Sequence, residues 1–221
     1  MEKANVVDQK EKWDTVYNSK ADFFGADPSE FGVRSADQFV KNRFRRVLEL
    51  GCGQGRDTLY FLSKGFDVTA MDYSSIGCKQ LCGCASGQSL DKHLTTTKAD
   101  ARKGLPYKDG SFDAVFSHMF FTMQMTEKEI QFILDEVLRV LRPGGLNVYS
   151  VRNDHDDHFG KGRHMGEDMW ENQMGLVVHF FSEDKIRRLS KGYEVVDIKE
   201  TIEGSAPFTK ILYEVTLRKP M

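Results

Sequence analysis

Apolar positions in this chain fall into short blocks separated by polar, glycine-rich breaks. Arg46 to Leu50, Phe66 to Met71, His93 to Lys98, Phe112 to Phe116 and Leu146 to Val151 read as strands: brief runs of apolar or β-branched residues between turn signals. Helical spacing fills the gaps. Trp13, Val16 and Tyr17 predict an amphipathic helix over 8–18, and Phe39 and Val40 a short one over 36–42. A helix over 56–64 follows the first strand and ends at Gly65. Ser74 or Ser75 can cap the next, which reaches about Ser86 despite Gly77 and Gly83. Thr126 and Glu129 form a capping box ahead of Ile130, Ile133, Leu134, Val137, Leu138 and Leu141, and Pro143-Gly144-Gly145 stops that helix. Ser182 caps a short helix carrying Ile186 and Leu189, and two strands over 193–198 and 211–217 close the chain as an antiparallel pair. Strands alternating with helices predict an α/β fold with a mostly parallel sheet covered on both faces.

The sharpest local signal is Val47-Leu48-Glu49-Leu50-Gly51-Cys52-Gly53-Gln54-Gly55. A strand turns there into a helix through glycines that tolerate positive φ and let a ligand approach the backbone. The helix start behind it offers N–H groups and a positive dipole end. About 20 residues after the first glycine, the second strand ends at Asp72, where a carboxylate can accept ribose hydroxyls. A dinucleotide turn wants a third small residue where Arg56 stands, so the pattern is E-x-G-x-G-x-G instead. Asp100 and Ser117-His118 also end strands, which places all these residues on one rim.

Composition narrows the picture. With 221 residues, 40% apolar and 29% charged, the chain suits one soluble domain with additions. A net charge of -2 gives no global field for nucleic acid or anionic membrane. The N-terminus lacks the apolar core of a signal peptide, and no run is long enough to span a membrane. Cys52, Cys78, Cys82 and Cys84 do not form a secreted disulfide framework, so a reducing cytoplasm is the expected compartment. Two regions stand out as additions. Asn18 to Ser35 is loop-like yet holds Phe23, Phe24 and Phe31, which suits a flap on the core or a lid over a ligand. Asn153 to Gly175 is polar, with Asp154-His155-Asp156-Asp157-His158 and His164; it matches no metal spacing, and no metal is expected. Leu176 to Phe181 is apolar and extended, and His179 within it reads as a packed histidine.

Val47 to Gly55, Leu105-Pro106-Tyr107-Lys108-Asp109-Gly110-Ser111-Phe112-Asp113-Ala114-Val115 and Glu136 to Gly145 together resemble the class I S-adenosylmethionine (SAM) methyltransferases, especially the small-molecule group called type 11. The opening Trp13, Tyr17, Phe24-Gly25, Pro28 and Phe31 is similar, more loosely, to the tellurite-resistance methyltransferases. The resemblance covers residues 40–152 and implies a Rossmann-like sandwich: a mostly parallel seven-stranded sheet with an antiparallel C-terminal strand and helices on both faces. It implies one domain over 1–221, with an N-terminal helix and lid (1–43), a SAM-binding core (44–152) and a substrate-side insert with C-terminal strands (153–221). By resemblance, Gly51, Gly53 and Gly55 admit the methionine part of SAM, and Glu49 orients the loop or meets the cofactor amino group. Asp72 holds the ribose hydroxyls beside Tyr73, Asp100 accepts from the adenine amino group near Ala101, and Ser117, His118 and Phe120 line the methyl-transfer end.

SAM supplies its own driving force, so a soft nucleophile needs no strong base, whereas a hydroxyl does. His118 is the candidate base. A small-molecule acceptor is expected. The proline-containing motif of amino-methylating DNA enzymes is absent after the fourth strand, where Ser117-His118-Met119-Phe120 stands, and no nucleic-acid or membrane partner is expected. Protein or RNA acceptors remain the alternative. So does a soft metalloid such as tellurite, selenite or arsenite, since Cys78 and Cys82 share a helix face. A nucleotide-binding oxidoreductase is disfavoured by Arg56.

Overall fold

The computed structural model describes residues 9–205 and 209–221. Among these described residues, ten strands and six α-helices follow in chain order: α1 (Gln9–Ser19), α2 (Glu30–Lys41), β1 (Arg46–Leu50), α3 (Arg56–Ser63), β2 (Asp67–Asp72), α4 (Ser75–Gly87), β3 (Leu94–Lys98), β4 (Phe112–His118), α5 (Glu127–Val140), β5 (Leu141–Arg152), β6 (Arg163–His164), β7 (Met169–Glu171), β8 (Val177–His179), α6 (Glu183–Leu189), β9 (Glu194–Glu203) and β10 (Lys210–Arg218). The main sheet has seven strands in the order β3-β2-β1-β4-β5-β10-β9. β1 to β5 pair in parallel, while β10 runs antiparallel to both β5 and β9. The strand order reverses between β1 and β4, which is where such sheets open a crevice at their carboxyl ends.

Period-two alternation sorts the side chains to two cores. Val47, Ala114 and Phe116 face α2 and α3, packing with Phe31, Phe39 and Phe61; Phe31 stacks on Phe116 at 5.2 Å. Leu48, Leu50 and Val115 face the other way, onto Ile130, Ile133 and Val137 of α5 and Ile186 of α6. The capping box at Thr126 is formed: its hydroxyl accepts from the Glu129 N–H while the Glu129 carboxylate takes the Thr126 N–H, a cap of about 1 kcal/mol.

Three features depart from the sequence reading. α2 begins at Glu30, not Ala36, because Ser29 caps it by accepting from the Gly32 N–H; Phe31 is therefore a core residue, not part of a lid. β5 begins at Leu141, ahead of Pro143-Gly144-Gly145, so the break falls inside an irregular strand start rather than between helix and strand. The polar insert carries two short strands, β6 and β7, which the reading lacked because strands of two or three residues leave no period to detect; they pair with β8, which falls in the expected extended run Leu176 to Phe181. No helix among the described residues is long and apolar enough to cross a membrane.

Candidate functional site

The turn after β1 is built as the glycines suggested. Gly51, Gly53 and Gly55 have φ of +72°, +50° and +88°, and Gly55 opens α3 from the left-handed region. Asp72 at the end of β2 fixes this loop: one carboxylate oxygen accepts the Gly53 N–H at 2.9 Å and the other the Ser74 N–H at 2.8 Å. Burial raises the Asp72 pKa against the lowering pull of those N–H groups.

Beneath the loop lies a carboxylate layer that sequence reasoning only half saw. Glu49 is buried and accepts a short hydrogen bond from the Thr58 hydroxyl; burial, and then nearby Asp57, push its pKa well up. That hydrogen bond joins β1 to α3, the helix that the glycine turn opens. Asp57 is buried as well and accepts from the Ser29 N–H at 2.7 Å and the Ser29 hydroxyl at 3.0 Å, tying the cap of α2 to α3. Asp57 gave no signal in the sequence because it reads as an ordinary first-turn acid.

Above the loop lies α1. A Cβ added at Gly53 would come within 2.8 Å of the Tyr17 hydroxyl oxygen, and one at Gly51 within 2.8 Å of Phe120 Cδ2. Tyr17 is buried there, and burial followed by Asp72 raises its pKa. The segment is tied down by side chains of the cofactor half: Gln80 donates to the Tyr17 carbonyl at 2.9 Å, Gln54 to the Lys20 carbonyl at 2.7 Å, and Arg56 to the Phe24 carbonyl at 3.0 Å. Trp13 packs on Tyr17 and Phe24, while Phe23 and Phe24 stay partly exposed. Of the two readings for the aromatic segment, a cover over the loop fits residues 9–24, and a core flap fits Phe31.

Tyr73 follows Asp72 on the same rim. Asp100 caps the short 3-10 turn over 101–103, and Arg102 engages both its carboxylate oxygens at 2.9 Å; Ala101 is buried against the α5 core. Ser117 is 1% exposed and its hydroxyl has no protein partner among the described residues. His118 is clasped from two sides. Its Nδ1 lies 2.7 Å from the Ser150 hydroxyl, which already accepts the Met119 N–H at 3.0 Å. Its Nε2 lies 3.0 Å from Glu203 Oε2 at the end of β9, an ion-pair distance without hydrogen-bond alignment. Burial works to raise the Glu203 pKa, but His118 and then Lys210 outweigh it and hold the carboxyl at about 2. The arrangement fits a Ser150 hydroxyl donating to Nδ1 and an Nε2–H facing Glu203. A proton acceptor at His118 therefore requires Glu203 to swing away. Glu203 also lines a pocket of about 130 Å³ with Glu30, Arg34, Thr201 and Glu214.

The cysteines do not assemble as their spacing suggested. Cys78 is buried against Cys52, whereas Cys82 and Cys84 are exposed. Among the described residues, no group of His, Cys, Asp and Glu side chains is placed to hold a metal ion. His155 pairs with Glu200, which raises its pKa, and Asp156 pairs with Arg152.

Residues 47–145 match the model of a methyltransferase domain. Over that stretch the chain is similar to the methyltransferase domain family. It is 32% identical over 127 residues to a malonyl-[acyl-carrier protein] O-methyltransferase of Enterobacter lignolyticus, covering 56% of this chain and 47% of that one. It is 27% identical over 199 residues to a tRNA N(3)-methylcytidine methyltransferase of Drosophila melanogaster, covering 82% and 60% respectively. The chain thus spans about half the length of these curated relatives. Its fold matches that of Burkholderia thailandensis 1,6-didemethyltoxoflavin-N1-methyltransferase, solved with its substrate and S-adenosylhomocysteine, at a TM-score of 0.73 and 19% identity over 96% of this chain and 88% of that one. The Burkholderia enzyme holds S-adenosylhomocysteine, and three features here fit a cofactor of that kind: a turn of three positive-φ glycines, an acid at the tip of β2, and a buried carboxylate in β1 just before the turn.

Proposed function

We propose that the protein transfers a methyl group from SAM to a small-molecule acceptor. The observation that carries this reading is the covered loop: α1 and residues 20–24 are pinned over Gly51–Gly55 by Gln54, Arg56 and Gln80, which covers the turn that meets the cofactor in this reading. A cover of this kind excludes water and aligns reactants, which is most of what a protein contributes to this chemistry. Bound SAM supplies an activated sulfonium methyl whose departure leaves a neutral thioether. In this reading Gly51, Gly53 and Gly55 cradle the methionine portion, Asp72 meets the ribose while holding the loop, and Tyr73, Asp100 and Ala101 flank the adenine. Ser117, His118 and Phe120 line the transfer end, with Tyr17 closing it from above. His118 is a positioning group, because Ser150 and Glu203 occupy its two nitrogens.

Around the pocket near His118, Glu30 and Glu214 pair with Arg34 and Glu203 with Lys210, so the cations there are already engaged, which disfavours a polyanionic acceptor. The tRNA-modifying relative supports RNA as the second reading. Release of S-adenosylhomocysteine is the test, with thiols, tellurite, selenite, arsenite, fractionated small metabolites, protein and RNA as acceptors. Turnover with a small acceptor is expected. Turnover with RNA or protein alone would replace this reading, and a hit among the soft oxyanions would move it to metalloid methylation.

A further inference from the structure

The start of α4 is laid on the glycine loop. A Cβ added to Gly77 would stand 2.6 Å from the Gly53 carbonyl oxygen, and one added to Gly55 would stand 2.3 Å from Leu81 Cδ1. Cys78 lies between those two contacts on the helix, and Cys52 lies beside Gly53 in the loop. Their thiols meet with Ala70 and Leu81 in one small buried cluster, Cys52 at 6% and Cys78 at 8% exposure. That contact pushes the Cys52 thiol up and draws the Cys78 thiol down, which makes Cys78 the readier nucleophile. Nothing in the proposed methyl transfer uses either sulfur.

We propose that Cys52 and Cys78 are a modification site, a dithiol that a peroxide converts into a disulfide between the glycine loop and α4. The close approach of Gly77 to Gly53, each one residue from a cysteine, brings the two backbones within reach of such a link. The Cys78 thiolate attacks one peroxide oxygen, the O–O bond breaks, and the departing hydroxide takes the thiol's proton as water, leaving a sulfenic acid. The Cys52 sulfur then attacks the Cys78 sulfur, and the displaced hydroxide leaves with the Cys52 proton as a second water. Two electrons and two protons pass from the thiols to the peroxide. A sulfur–sulfur bond of about 2.05 Å is shorter than any thiol contact, so closure draws the loop toward α4 and disturbs the Gly53 N–H that anchors Asp72. The link itself stands on the packing; its effect on SAM rests on the glycine loop holding the cofactor.

The test takes the reduced full chain through hydrogen peroxide and then dithiothreitol, with Cys78→Ala, Cys78→Ser and Cys82→Ala alongside. Thiol counting and peptide mapping read the link, and calorimetry reads SAM affinity. Two of the four thiols should disappear, a Cys52–Cys78 peptide should appear, and SAM affinity should fall about tenfold or more and recover on reduction. Both Cys78 variants should bind SAM like the reduced parent and hold that affinity through oxidation, while Cys82→Ala follows the parent. Absence of the Cys52–Cys78 peptide overturns the site. A complete link with unchanged SAM affinity overturns its control of the loop, as would an equal loss in the Cys78 variants. A reduced parent that does not bind SAM refutes the cofactor placement, and the peptide map still decides the link.

Discussion

Asp72 carries two loads at once. Its oxygens hold the Gly53 and Ser74 N–H groups, and in the proposed site it also faces the ribose. Asp72→Ala strips both buried donors of their acceptor, at a cost of about 1–3 kcal/mol each before any ligand is considered. The expected result is a SAM affinity lower by about a hundredfold or more in calorimetry, together with a loss of stability of about 2–6 kcal/mol in urea. Asp72→Asn keeps one carbonyl oxygen and should fall between the two; near-parental binding by the alanine variant would place the cofactor elsewhere. Gly53 makes the complementary case. At φ +50°, with the Tyr17 hydroxyl 2.8 Å from where a Cβ would sit, Gly53→Ala strains the backbone and lifts α1 together. It should weaken SAM binding while leaving Asp72 in place. Both residues were readable in the sequence because strand, turn and acid follow one another along the chain. Tyr17 was readable only as one face of a helix, since nothing local states what that face meets.

Elements differ in how much of their placement is local. β1, β2, β3 and α5 followed from period and capping alone, and the Ser182 cap of α6 is formed as expected. α2 did not: Ser29 was its start signal, but Gly32 and three nearby phenylalanines made the segment resemble a loop, and its cap is completed by Asp57 from another helix. The cover is the element with most to test. Its attachments are side chains of Gln54, Arg56 and Gln80 on backbone carbonyls, together with Gln9 on the Val177 carbonyl at 3.1 Å and Lys12 on the Gly175 carbonyl. Gln54→Ala with Gln80→Ala removes two of these anchors and no core contact. Amide exchange over residues 9–24 should rise, SAM should dissociate several-fold faster, and the thermal midpoint should stay near the parent's. A large fall in that midpoint would make the cover part of the core instead.

At the scale of the molecule, long-range polar contacts close the rim, and these were the part least legible beforehand. Glu203 reaches His118 from the edge strand β9, three places along the sheet order from β4, and Lys185, buried in α6, meets Asp168, Glu127 at 3.6 Å and His179 Nε2 at 3.0 Å. No periodicity encodes such meetings; they exist only once the strands are ordered. They do predict how the fold responds to acid. His179 donates from Nδ1 to the Met125 carbonyl at 2.7 Å and accepts from Lys185 at Nε2, so its neutral form is the one that fits. Burial, and then the Lys185 ammonium, bring its pKa down from 6.5 to about 4. Between those values the unfolded chain binds a proton that the folded chain refuses, so stability falls with pH across that window, by up to about 3 kcal/mol, and levels off below it. Glu203 acts in the next window. Its folded pKa of about 2 lies below the ordinary 4.5, so its stabilisation is complete above 4.5 and disappears as pH falls through 2. Urea titrations from pH 7 to 3 should therefore show two successive losses. His179→Gln, which keeps a donor and an acceptor but cannot charge, should flatten the first and leave the second. Glu203→Gln should do the reverse, and a first loss that persists in His179→Gln would assign it to another group.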